Sequence, residues 1–366
     1  MITTRGLIMA GTMMVSGCSV NGFARSVSVS TVQELQAAVK SVQPGDTIWI
    51  KGGEYQLTAR VNLLASGTAD KKICLFAVDT EKQRPVFDGS GMEVKSSNQA
   101  FKLQASYWHI KGLDVTGAGD NGMWVTAASN NTIENCRFFG NNDSGIQIDG
   151  GSSNNLVLNC DSYSNVDPKV ENADGFACKM DVGGGNRFVG CRAWNNLDDG
   201  WDGYLRGTDN VSTSYENCWA FRNGMKADGT PTGGDGNGFK TGGSDTKLLK
   251  HNAVYVNCIA AANVADGFDH NSNRGTVTLT ACKAYLNKNN FNFSDKMPVE
   301  KLVVKQCSVI GKAGKLLGET VDIEGNSWQS GTGLAESDVK SVDVAELMKP
   351  RTKDGSLPEI SFMTRK

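Results

Sequence analysis

Seven cysteines recur along this chain with a spacing that an ordinary globular core has no reason to produce. Cys136, Cys160, Cys191, Cys218, Cys258, Cys282 and Cys307 are separated by 24, 31, 27, 40, 24 and 25 residues. An Asn stands five residues after six of them, as Asn141, Asn165, Asn196, Asn223, Asn263 and Asn287. A Gly stands nine residues after Cys136, Cys191 and Cys258, as Gly145, Gly200 and Gly267. The Cys160 repeat reaches Gly175 after six extra residues, and the Cys218 repeat reaches Gly238 after eleven. A period in the twenties marks a solenoid whose units stack on one another. The residues beside Cys alternate as strands do, in Thr132-Ile133-Glu134-Asn135-Cys136 and Tyr255-Val256-Asn257-Cys258, with little helical periodicity. Each repeat is therefore one coil of short strands, and the coils stack as parallel β-structure.

The phase also decides what the Cys do. Ten Cys in an exported chain would normally suggest disulfides. One fixed phase and the lack of any C-x-x-C pair predict buried free thiols facing inward, where Cys is a small soft core residue. The Asn, also at fixed phase, is expected to stack at a turn, with each amide bonding the next coil. Composition agrees. Gly is high at 43 and Pro low at 7, which suits many strands joined by tight turns. A net charge of −2 gives no global field for nucleic acid or an anionic membrane.

The ends depart from the repeat. Arg5 and the apolar run from Gly6 to Val15 read as an export signal over residues 1–24, too short to span a bilayer. Val15-Ser16-Gly17-Cys18 resembles a bacterial lipobox, which would place a lipid anchor on Cys18; the alternative is cleavage after Ala24. Residues 25–366 are expected to form one domain, secreted, periplasmic or held at the outer membrane, and monomeric. Thr31-Val32-Gln33-Glu34 resembles a capping box opening a helix to about Ser41. That helix would cover the open end of the solenoid. Pro44-Gly45-Asp46 then turns into a first strand, Thr47-Ile48-Trp49-Ile50. After Gly311 the phase is lost, and the tail is expected to pack on a flank.

Aligning the repeats on their Gly locates the chemistry. The next residue is apolar (Met123, Ile146, Phe176, Trp201, Phe239, Phe268) and points inward. The one after points outward: Gln147, Ala177, Asp202, Lys240 and Asp269. Three successive coils, about 4.8 Å apart, thus bring Asp174, Asp198, Asp199, Asp202 and Lys240 onto one patch. Carboxylates this close repel and should raise one another's pKa, with no neutralising partner but Lys240. A hard divalent cation such as Ca²⁺ would relieve that, and the absence of Cys and His argues against zinc. Both insertions lie just before this patch, as loops that build a groove do. Lys179, Arg206 and Arg274 are candidates to bind substrate carboxylates; each alone is more ordinarily a solvated surface charge. Asp235-Gly236-Asn237-Gly238 begins like an EF-hand loop, but Thr246 stands where the bidentate Glu is needed, so it reads as a Gly-rich turn.

Asn172-Ala173-Asp174-Gly175-Phe176, Asn196-Leu197-Asp198-Asp199-Gly200-Trp201-Asp202 and Gly236-Asn237-Gly238-Phe239-Lys240 resemble the family nine polysaccharide lyases. The resemblance covers most of the chain. It implies an all-β, right-handed parallel β-helix of about ten coils with an Asn ladder. It implies catalytic Ca²⁺ held by Asp174, Asp198, Asp199 and Asp202, with Lys240 as the base. The implied reaction is β-elimination on polygalacturonate (pectate), giving a 4,5-unsaturated sugar end. A base must be neutral; the metal lowers the Lys240 pKa and the Asp cluster raises it, and an alkaline optimum is expected. Rhamnogalacturonan lyase activity is the alternative within the family. A β-helix polygalacturonase would need an acid–base carboxylate pair, which Asp198, Asp199 and Asp202 could imitate, but its His-Gly and Arg-x-Lys signatures are absent. In a non-catalytic glycan-binding β-helix, Lys240 would be incidental.

Overall fold

The computed structural model describes residues 24–170, 172–331 and 333–366. The lipobox reading of Cys18 and most of the export signal lie outside the described residues. The chain winds as a right-handed parallel β-helix whose coils contribute to three parallel sheets of twelve, ten and ten strands. In a representative coil, Thr132–Glu134 belongs to the first sheet, Arg137–Phe139 to the second and Ile146–Asp149 to the third.

Corners between sheets explain the repeat. Between the first and second sheets, the residue before each Cys lies in the left-handed region, at φ 49° for Asn135, 52° for Asn159, 64° for Gly190 and 53° for Asn257. Asn and Gly tolerate that conformation best. The Cys that follows then faces inward: Cys136 to Cys307 are buried free thiols, each bonding backbone carbonyls, as Cys191 Sγ does to Val157 O at 3.4 Å. The second corner carries the Asn ladder. Asn141 Nδ2 donates to Asn165 Oδ1 at 2.9 Å, and the series continues through Asn196, Asn223, Asn263 and Asn287 at 2.8–3.0 Å. The Gly phase has a steric cause. A Cβ on Gly200 would sit 2.5 Å from Gly238 O and 2.8 Å from Asn223 Nδ2, so the ladder and the next coil leave room for hydrogen only.

Inside, the apolar residue after each Gly stacks with its counterparts. Phe176, Trp201, Phe239 and Phe268 have successive ring centroids 4.8, 4.8 and 4.9 Å apart and nearly parallel planes. Such stacking fixes coil-to-coil register beneath the acidic patch.

The helix Val32–Ser41 closes the N-terminal end with Leu35, Ala38 and Val39 buried. Thr31 Oγ1 accepts from Glu34 N at 3.1 Å, but Glu34 Oε2 reaches one residue further back than a capping box, accepting from Ser30 N at 2.7 Å. Thr47–Ile50 is not the first strand: Ser26–Val29 precedes it and pairs with it in parallel, Val29 being buried. The C-terminal segment packs on a flank. Leu334, Val339, Leu347, Phe362 and Met363 cover Trp219, Phe221, Ile259 and Tyr285 on the outer face of the second sheet. An ion cluster fastens it, with Arg192 Nε and Arg351 Nη2 on Asp161 Oδ1 at 2.8 and 2.7 Å. Ahead of that packed segment, Gly314–Leu316 and Thr320–Glu324 still add the last strands of the third and first sheets.

Candidate active site

The outer face of the third sheet carries one column of Cα partners: Trp124, Gln147, Ala177, Asp202, Lys240 and Asp269. Asp202 and Lys240 are therefore on adjacent rungs, as the register argument requires. Both point away from the coil interior yet are only 5% and 8% exposed: Asp202 is engaged by Lys179, Lys240 and Tyr204 N, and Lys240 by Asp235 of the eleven-residue insertion. In that loop Thr232 Oγ1 donates to Leu197 O at 2.6 Å, Asp235 N donates to the Asp198 carboxylate, and Asn237 donates to Asp199 Oδ1 through N at 2.8 Å and Nδ2 at 2.9 Å. The insertion thus positions the acidic groups and narrows their access to water.

Asp174, Asp198 and Asp199 each offer an oxygen, all within 4.8 Å of one another. Asp199 N donates to Asp174 Oδ1 at 3.2 Å and locks those two coils together. Asp199 Oδ2 is buried and accepts no hydrogen bond; its cation is Lys240 Nζ at 3.3 Å. Three buried carboxylates that bring hard oxygens this close together fit a divalent cation such as Ca²⁺. Lys240 Nζ also lies 3.2 Å from Asp235 Oδ2 and 3.9 Å from Asp202 Oδ1.

Charge follows this geometry. Burial first, then the neighbouring Asp202, lifts the Asp174 carboxyl to about 6, against the opposing pull of Lys179. Burial and Asp174 lift Asp198 to about 7. Asp199 is raised well above the ordinary range by burial and Asp198. Asp202 departs from the expectation that all four would rise. Burial works against its charge, but the Lys240 and Lys179 ammonium groups more than offset that and hold its pKa below 3.8. Burial works against the charge on Lys240, but Asp202 and Asp199 foremost more than offset it and raise its pKa well above the ordinary value.

A family model described as "Pel9A-like, right handed beta helix region" matches residues 19–307. The chain belongs to this family. A pectate lyase L of Dickeya dadantii (strain 3937) is 35% identical over 344 residues, 92% of this chain and 79% of that protein. A pectate lyase PEL9 of Emericella nidulans is 33% identical over 360 residues, 91% of this chain and 87% of that protein. The crystal structure of pectate lyase Pel9A superposes with a TM-score of 0.78 at 32% identity, covering 94% of this chain and 90% of that one.

Within this family member, the three candidate substrate cations have different places. Lys179 is not a surface charge: its side chain is 3% exposed, with Nζ 2.8 Å from Asp174 Oδ2 and 3.2 Å from Asp202 Oδ2. Lys240 is therefore not the only neutralising partner of the acidic patch. Lys179 stands two residues beyond Ala177, and its side chain reaches across to the Asp174 and Asp202 carboxylates. Arg206 stays at the surface, paired with Asp245 at 3.2 Å, and lines a cavity of about 300 Å³ with Trp124, Asp143, Gln147 and Lys179. Arg274 pairs with Glu319 at 2.6 Å and lines neither groove cavity. The second cavity, about 430 Å³, lies beyond Lys240 among Asp235, Asn237, Asp266, Asp269 and Asn292. Asp235 was missed as a site residue. Its place in the Asp-Gly-Asn-Gly turn concealed that it reaches the Lys240 amine.

Proposed function

We propose that this chain is a calcium-dependent pectate lyase that cleaves polygalacturonate by β-elimination, with Lys240 as the base. The observation that carries the reading is a lysine amine on the rung beside Asp202, 3.3 Å from Asp199 and at the edge of three convergent carboxylates. Asp174, Asp198, Asp199 and Asp202 would hold Ca²⁺, and the bound ion would supply positive charge to the uronate carboxylate and so acidify the C5 proton. Lys240 in its neutral form takes that proton on Nζ. The C5–H electron pair becomes the C4–C5 double bond, and the C4–oxygen bond breaks, releasing the leaving chain as an alcohol after it gains a proton from water. Asp199 and Asp235 orient the amine. Arg206, which lines the same cavity as Trp124, would meet a neighbouring uronate.

Pectate lyase names on relatives above 30% identity and over nine-tenths of this chain support the reading. A rhamnogalacturonan lyase structure, TM-score 0.76 at 24% identity, shares the fold. Among the described residues, no helix is long and apolar enough to cross a membrane. We propose export of a monomer, with the Cys18 lipobox deciding between release and anchoring. Incubation with polygalacturonate and calcium, followed by ultraviolet absorbance of the product, tests the function. Unsaturated ends are expected. New reducing ends without unsaturation would mean a hydrolase, and no cleavage with retained binding would mean a glycan-binding solenoid.

A further inference from the structure

We propose that Lys179 is a built-in competitor of calcium: its ammonium holds Asp174 and Asp202 together in the metal-free protein and must yield to the ion when it binds. The inference rests on the metal-site reading above. Asp174 lies five residues before Lys179 in the same coil, and Asp202 belongs to the next coil, so Nζ bridges two coils where the site must form. The bridge also accounts for an asymmetry. Asp174, Asp198 and Asp199 converge within 4.8 Å, whereas Asp202 stands outside that set. Both of its oxygens are engaged: Oδ2 accepts from Lys179 Nζ at 3.2 Å, and Oδ1 accepts from Tyr204 N at 2.9 Å with Lys240 Nζ at 3.9 Å. For Asp202 to join the other three on a cation, the Lys179 contact has to lengthen or be shared.

The formal charges fit such a role. Lys179 and Lys240 are the two ammonium groups set against the carboxylates that would hold the ion. Without Lys179 the site would have one positive charge fewer in a pocket where these side chains are nearly sealed from water, so the fold would be harder to reach in chelator and the pull on Ca²⁺ stronger. Lys179 thus trades calcium affinity for a chain that folds before it meets the metal. At 3% exposure its ammonium is spent on Asp174 and Asp202.

The test uses full-length protein stripped of metal, comparing wild type, Lys179→Met and the double variant Lys179→Met/Asp202→Asn. Melting in excess chelator and calcium binding by titration calorimetry are measured near neutral pH. Lys179→Met is expected to melt lower in chelator and to bind Ca²⁺ about tenfold tighter, the scale set by removing one charge beside a divalent ion. The double variant, which removes one charge of each sign, is expected to recover the wild-type melting temperature in chelator. Unchanged or weaker calcium affinity in Lys179→Met overturns the inference. If that variant does not fold without calcium, the double variant decides: folding near wild-type stability supports the charge argument, and failure to fold overturns it in favour of lost packing. Wild-type protein that binds no Ca²⁺ at all would instead sink the metal-site reading itself.

Discussion

Two stacks of polar side chains run along this solenoid almost side by side, and they behave in opposite ways. Asn196 belongs to the ladder; Asp198 and Asp199, two and three residues later, belong to the acidic patch. An amide carries both donors and an acceptor, so each ladder Asn is satisfied by its neighbours: Asn223 Nδ2 donates to Asn263 Oδ1 at 3.0 Å and to Ala193 O at 3.2 Å, while its Oδ1 accepts from Asn196. A carboxylate only accepts. Stacked carboxylates cannot satisfy one another, and the patch needs Lys179, Lys240 and loop amides to stand at all. The ladder is complete within the protein, whereas the patch leaves Asp199 Oδ2 without a hydrogen bond, and on the proposed reading a cation completes it. That contrast separates structural from functional polarity at equal burial.

The largest effect should fall on turnover. Lys240→Ala is expected to keep the fold and calcium binding while losing about 10²–10⁴-fold in rate, the usual share of a general base. Steady-state formation of unsaturated product at alkaline pH would show it. Lys240→Arg should recover little, since a guanidinium hardly deprotonates and has a different shape. A rate near wild type for Lys240→Ala would place the base elsewhere.

Exchanging the two chemistries sharpens the contrast. Asn223→Asp puts an acceptor-only charge into a fully buried ladder and should destabilise the protein by about 3–5 kcal/mol, as unpaired buried charges do. Asp199→Asn should do the reverse in chelator, raising the melting temperature, while greatly weakening calcium binding. The milder Asn223→Ala should cost about 1–3 kcal/mol for the hydrogen-bond partners left behind. Denaturant melts with and without calcium measure all three, and equal responses at the two sites would erase the distinction.

A smaller effect is expected from pH. Asp174 and Asp198 have folded-state pKa values of about 6 and about 7 against an ordinary 3.8. Groups raised in this way bind more protons folded than unfolded, so the stability they contribute is fully present below 3.8 and is lost as pH rises through about 6 and about 7. Metal-free protein should therefore melt higher near pH 5 than near pH 8, and saturating calcium should flatten or reverse the slope. A metal-free protein that gains stability as pH rises over that interval would contradict the electrostatics described for the patch.

Much of this was legible in the sequence because stacked coils repeat their physics. The Cys, Asn and Gly phases report, respectively, an inward position, a self-satisfying corner and a contact with room for no Cβ. Counting outward from each Gly placed Asp202 and Lys240 on adjacent rungs. The features that escaped depend on reach or on distant partners. Lys179 reads in sequence as an ordinary surface cation, and nothing in the repeat announces its reach onto Asp174 and Asp202. Asp235 meets Lys240 only because an insertion folds back, and Arg274 is claimed by Glu319, 45 residues on. The tail's path rests on pairings such as Arg351 with Asp161, 190 residues apart, which no local pattern announces.

The central claim, that the acidic stack is incomplete without a cation and that chemistry depends on completing it, is tested most directly by a calcium titration of turnover. Protein stripped of metal is assayed for unsaturated product on polygalacturonate in excess chelator, then as free calcium is restored. The expected result is no product in chelator and a saturable return of activity whose midpoint matches calcium binding measured without substrate. Full turnover in excess chelator would contradict it, leaving the carboxylates as scaffold and the reading of the site wrong.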